Sequence, residues 1–123
     1  MKITGVYVNA EKGTLATREI EAELQSYYDL LDVSTIDIVS RKIRGVSYEI
    51  ICDDEALCKD KPVVSMISSR YQPMLFGNLF VVNYGGNGGL ASLTPADVKR
   101  IKQSYACAID SGKMRKVLVG DYA

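Results

Sequence analysis

Arg41, Lys42 and Arg44 stand together in the segment RKIR, and Arg70-Tyr71 sets another guanidinium beside an aromatic ring. Arginine clamps a phosphate through two parallel N–H bonds, and a tyrosine ring can stack on a base. Asn83 and Tyr84 come next, followed by Gly85, Gly86, Asn87, Gly88 and Gly89. Glycines allow positive φ and close backbone approach, and successive amides can cradle an anion. Together with Tyr48, these segments give a candidate nucleotide-recognition set: Arg41, Arg44, Tyr48, Arg70, Tyr71, Asn83, Tyr84, Gly86 and Asn87. A plainer reading stands beside it. Arginines are mostly solvent-facing, tyrosines are common strand residues, and glycines often only punctuate a hairpin-like connection.

Catalytic patterns are harder to find. The chain has no histidine, which removes histidine-activated nucleophiles and histidine metal ligands. No Gly-Lys-Ser/Thr follows the glycines, so the P-loop pattern is missing, and their spacing also departs from the dinucleotide-binding fingerprint. The serines lack a base. Asp53, Asp54 and Glu55 could hold a hard cation and support metal-assisted hydrolysis, but consecutive strand residues point to opposite faces. A solvated turn is the reading adopted for them. The expectation is a binding protein that is not an enzyme, with no cofactor and no resident metal.

The elements that must position these residues follow from periodicity. Ile3, Val6 and Val8 mark a first strand, with Leu15 to Arg18 as a short return strand. Ile20, Leu24, Tyr27, Tyr28 and Leu31 recur at helical spacing, which predicts a helix from Glu19 to Leu31 with Thr17 as N-cap. TIDIVSRKI and Val46 to Cys52 predict two strands joined at Arg44-Gly45. Ala56 to Lys61 reads as a short helical turn or loop, PVVSMISS as extended, and Leu79 to Val82 as a core strand interrupted from the run before it by Pro73. Thr94-Pro95-Ala96-Asp97 is a strong helix start. That helix is expected to turn Val98, Ile101, Tyr105 and Ile109 inward and to end at Ser111-Gly112. Val117 to Val119 is a last strand or a tail. The sum is one α+β domain over residues 1–123: a mainly antiparallel sheet with two amphipathic helices packed on it.

Composition bounds the partners. Fifteen basic residues balance fifteen acidic ones, which disfavours a nucleic-acid partner. Three cysteines cannot complete a disulfide framework, and Cys52 and Cys58 are too far apart for a CxxC pair. Reduced thiols in the cytoplasm are expected, with Cys107 on an apolar helix face. MKITGVYVNA reads as no signal peptide, and no segment approaches the roughly 20 apolar residues of a membrane span. Exposed strand edges suggest a homo-oligomer.

Three phrases carry a resemblance: IDIVSRKIRGVSYEIICDDEALCKDKP at 36–62, PMLFGNLFVVN at 73–83 and SLTPADV at 92–98. Together they resemble an uncharacterised family of small α+β proteins from phages and mobile elements of Firmicutes, catalogued as a domain of unknown function. The likeness covers roughly residues 3–105 and supplies no catalytic residues. It implies an accessory protein of the host cytoplasm that counters defence. Such a protein would sequester a small nucleotide signal of the cyclic nucleotide or cyclic ADP-ribose type, or act as an inhibitor or adaptor on a host defence protein.

Overall fold

A computed structural model describes residues 1–86, 89–110 and 112–123. Eleven strands and two helices lie among the described residues. β1 (Lys2–Asn9) and β2 (Thr14–Glu21) form a long hairpin, and α1 (Leu24–Leu31) follows it. β3 (Ile36–Ile43) and β4 (Val46–Asp53) form a second hairpin, followed by a single 3-10 turn at Ala56–Cys58. Then come β5 (Val64–Ile67), β6 (Pro73–Phe76), β7 (Leu79–Tyr84), β8 (Leu90–Ala91) and α2 (Pro95–Lys102). β9 (Tyr105–Asp110), β10 (Lys113–Val119) and β11 (Asp121–Tyr122) complete the chain.

The strands form two sheets. The larger has the order β11-β3-β4-β7-β1-β2, with β8 paired to the end of β7, and all its pairings are antiparallel. The smaller has the order β6-β5-β10-β9, and its β5–β10 pair is parallel. One core joins the sheets. Val6, Ile50 and Val81 of the larger sheet pack with Met66 and Leu118 of the smaller and with Ile101 of α2. The opposite face of the larger sheet carries Ile51 and Phe80, covered by Tyr27 and Leu31 of α1. Alternation along β4 and β7 explains this: Ile50 faces Val81 on one side and Ile51 faces Phe80 on the other. Each such side chain contributes roughly 1.5–3 kcal/mol by leaving water.

Arg44 and Gly45 form the expected two-residue turn, with φ of 51° and 81°. Both values are positive, as the turn type that matches strand twist requires. Thr94, Pro95 and Asp97 open α2 as expected, with a capping box between Thr94 and Asp97.

The sequence expectations fail in three places. The residues expected to start the first helix belong to β2, which runs to Glu21; Ile20 pairs with Ile3 in an unbroken eight-residue register. A continuous ladder with β1 outweighs helical spacing there, and α1 starts only at Leu24, without a side-chain cap. The second helix stops at Lys102, and Tyr105 to Asp110 is a strand paired with β10. Tyr105 and Ile109 are four apart, a spacing that keeps residues on one face of either a helix or a strand. Cys107 is therefore on an exposed strand, not on a helix face. Finally, Pro73 opens β6 and does not break the chain, and a second sheet stands where one was expected. Ser111 lies outside the described residues.

Gly120 is where the chain leaves the smaller sheet for the larger. Its N–H donates to the Ile67 carbonyl at 3.0 Å. A Cβ there would collide with the Met66 methyl and stand 2.6 Å from the Lys42 carbonyl oxygen. Gly120→Ala is expected to destabilise the fold by about 1–3 kcal/mol through overpacking at this crossing. Urea denaturation measures it; an unchanged midpoint would show that the crossing has room.

Candidate functional site

Two places gather polar groups, and they differ in kind. The first is the N-terminus of α2. Asp97 Oδ2 accepts from Asn83 Nδ2 at 2.9 Å, Thr94 N at 3.0 Å and Thr94 Oγ1 at 2.9 Å. Asp97 Oδ1 accepts from the Tyr48 hydroxyl at 2.7 Å and Arg100 Nη1 at 2.9 Å. Arg100 also donates to the Tyr48 hydroxyl at 2.7 Å. Burial of Asp97 opposes its ionisation, yet the bonds from Tyr48, Thr94 and Asn83 outweigh it and hold the carboxyl well below the usual carboxylate range. Burial first, then the bond to Asp97, raises the Tyr48 hydroxyl pKa, while Arg100 opposes the rise. Every acceptor direction of the carboxylate is taken, so Asp97 is spent on fixing a helix.

The eight candidates among the described residues are not brought together. Tyr48 and Asn83 belong to this cluster, and Tyr48 is buried. Arg44 Nη2 donates to the Gln103 carbonyl at 2.9 Å, closing the other end of α2. Arg41 is half-buried, donates to the Ser40 carbonyl and stacks over Tyr122 at 4.8 Å. Arg70 and Tyr71 lie on the exposed turn between β5 and β6, Tyr71 with φ of 62°. Tyr84 is exposed at the end of β7. Gly85 N donates to the Gly89 carbonyl at 2.7 Å and β8 pairs back on β7, so Gly85, Gly86 and Gly89 belong to the connection between these two strands. Asn87 lies outside the described residues.

The second place is the end of β4, where three adjoining cavities share Asp53 as a lining residue. One of them measures about 320 Å³ and is lined by residues that include Tyr7, Glu11, Asp32, Asp53, Lys59 and Lys61. None of the eight candidates among the described residues lines any of the three. Asp53 is not the solvated turn residue expected of it. It is buried, bonded to Lys59 Nζ at 3.1 Å and to the Glu55 N–H at 2.9 Å, whereas Asp54 and Glu55 are exposed. Asn78 shapes the floor. Its Oδ1 accepts from Ala10 N at 3.0 Å and its Nδ2 donates to the Leu31 carbonyl at 3.1 Å, which ties β1 to the end of α1. In the sequence Gly77 and Asn78 stand out only as part of the phrase PMLFGNLFVVN. Tyr7, Asp32 and Lys61 had no sequence signal, because they meet only in the fold.

Burial pushes the Cys52 thiol up to about 11, and Cys58 and Cys107 are exposed and unbonded to one another. Among the described residues, no three His, Cys, Asp or Glu side chains are grouped to hold a metal ion, and no helix is long and apolar enough to cross a membrane.

Fold and site thus define a small two-sheet α+β domain with a polar cavity at one end of its larger sheet. The chain belongs to the family described as a domain of unknown function (DUF3846), whose profile matches residues 1–106. No curated protein and no solved structure matches it.

The lowered pKa of Asp97 has a definite sign. Its contribution is complete above the unfolded carboxylate pKa of about 4 and is lost as pH falls towards the lower folded value. Asp97→Asn should therefore cost about 2–3 kcal/mol at pH 7, from a lost cap and lost charged hydrogen bonds. The gap between wild type and variant should narrow below about pH 4. Denaturation from pH 7 to pH 2 tests this, and a constant gap would refute the ionised hub.

Proposed function

We propose that the protein binds, and does not transform, a small ligand of the nucleotide class in the cavity beside Asp53. The observation that supports this reading is the lining: an aromatic ring (Tyr7), three carboxylates (Glu11, Asp32 and Asp53) and two lysines around about 320 Å³, with Asp53 paired to Lys59 and Lys61 outside any ion pair among the described residues. Tyr7 suits a base, Lys61 suits a phosphate, and the carboxylates suit the donors of a ribose or an exocyclic amine. The volume is at the lower end for ligand pockets. That favours a unit of single-nucleotide size over a cyclic dinucleotide. In this reading the ligand is a signal, and the protein works for a phage or mobile element by withdrawing it in the host cytoplasm. The three phrases in the sequence are what support that setting.

A ligand that binds only the folded state raises stability by RT ln(1 + [L]/Kd), about 2.7 kcal/mol at a hundredfold excess over Kd. A thermal-shift screen with mononucleotides, 3′,5′-cyclic nucleotides and cyclic ADP-ribose should give a rise in Tm with at least one of them. Lys61→Glu should abolish that rise and leave the ligand-free stability within about 0.5 kcal/mol of wild type, as exposed substitutions do. No shift with any compound, or a shift that survives Lys61→Glu, would sink the reading.

A further inference from the structure

The outer edges of the two sheets are not alike. β2 carries the exposed charges Arg18, Glu19 and Glu21 along one edge of the larger sheet. The other edge is closed in part by β11 against Arg41 and Lys42, and the Ile38 N–H there donates to Asp37 Oδ1. In the smaller sheet β6 is four residues long and starts with proline. These are the devices that keep strand edges from pairing. β9 has none of them from Tyr105 to Ile109: the run is Tyr-Ala-Cys-Ala-Ile, without charge or proline.

The backbone of this edge has a defined set of open groups. The Val119 N–H donates to the Ser104 carbonyl at 2.9 Å, so residue 104 points towards β10. In an antiparallel ladder residues alternate, which directs Ala106 and Ala108 to β10 and leaves Tyr105, Cys107 and Ile109 with outward N–H and C=O groups. The same three side chains share one face with Met114 and Lys116 of β10. Ile109 and Met114 face each other in register and are 79% and 69% exposed.

We propose that β9 is a dimerisation edge whose partner is a second copy of this chain, added antiparallel with Cys107 on the twofold axis. That register alone uses all three outward residues on both copies. It places Tyr105 opposite Ile109 of the second copy, an aromatic–β-branched pair of the kind that stabilises sheets. About six main-chain hydrogen bonds form, two for each facing pair. No like charges meet. The nearest repeated cation, Lys116, lies over its own Tyr105 ring at 4.6 Å, and its symmetric copy is three strand spacings away, about 14 Å. The result is a continuous sheet built from the smaller sheets of two copies.

Sedimentation equilibrium of the full chain tests this. The mass should rise from one copy towards two between about 1 μM and 1 mM, the range of a modest interface. Cys107→Pro removes an outward N–H and no β9–β10 bond, a place where a strand tolerates proline. Ile109→Lys sets a charge on the edge without touching the backbone. Both variants, with circular dichroism confirming the native fold, should stay single-copy at 1 mM. In the Cys58→Ser protein, a short bismaleimide should join two copies through Cys107. A wild type that is single-copy at 1 mM, folded variants that still dimerise, or a dimer that fails to cross-link at Cys107 would each overturn the proposal.

Discussion

The carboxylate of Asp97 is the point on which the architecture turns. It accepts from two strands, from its own helix cap and from a helical arginine, within one nearly closed site. Removing a charge from water is expensive, and only a full set of donors makes it favourable. Here the donors come from β4 through Tyr48 and from β7 through Asn83. One helix of eight residues, too short to be stable alone, is thereby pinned at its first turn. Arg44 holds the carbonyl of its C-cap, Gln103. With α2 fixed, Ile101 enters the core shared by both sheets, and β9 and β10 are delivered to the far side.

What the sequence discloses follows from how local each cause is. The helix start at Thr94 and the turn at Arg44-Gly45 depend on a few adjacent residues, and both stand as read. The alternation along β4 and the apolar run of β7 are equally legible. The boundaries of β2 and β9 depend on which distant segment offers a ladder. Ile20 and Ile109 fit a helical period well enough to mislead, because a spacing of four serves both geometries. The parallel β5–β10 pair joins segments about fifty residues apart, for which no short-range signal exists.

The site was less legible than the fold, for a physical reason. Arginine, tyrosine and asparagine are the side chains that recognise nucleotides, and they are also the ones that satisfy helix ends and buried carboxylates. In this chain Arg44, Tyr48 and Asn83 do the second job. The cavity beside Asp53 is assembled from residues as far apart as Tyr7, Asp32 and Lys61. Its one sequence cue was the Asp53–Glu55 cluster, whose first member turned out to be buried and paired with Lys59. The family match at residues 1–106 spans both the cavity and the Asp97 cluster, while β10 and β11 lie beyond it.

Amide chemical-shift mapping of the ¹⁵N-labelled protein, titrated with a nucleotide, most directly tests whether recognition belongs to the cavity. The account predicts shifts concentrated on Tyr7, Glu11, Asp32, Val33, Lys61 and Val63, with Tyr48, Asn83 and Asp97 unmoved. Shifts centred on Arg70, Tyr71 and Tyr84, with the cavity silent, would contradict it.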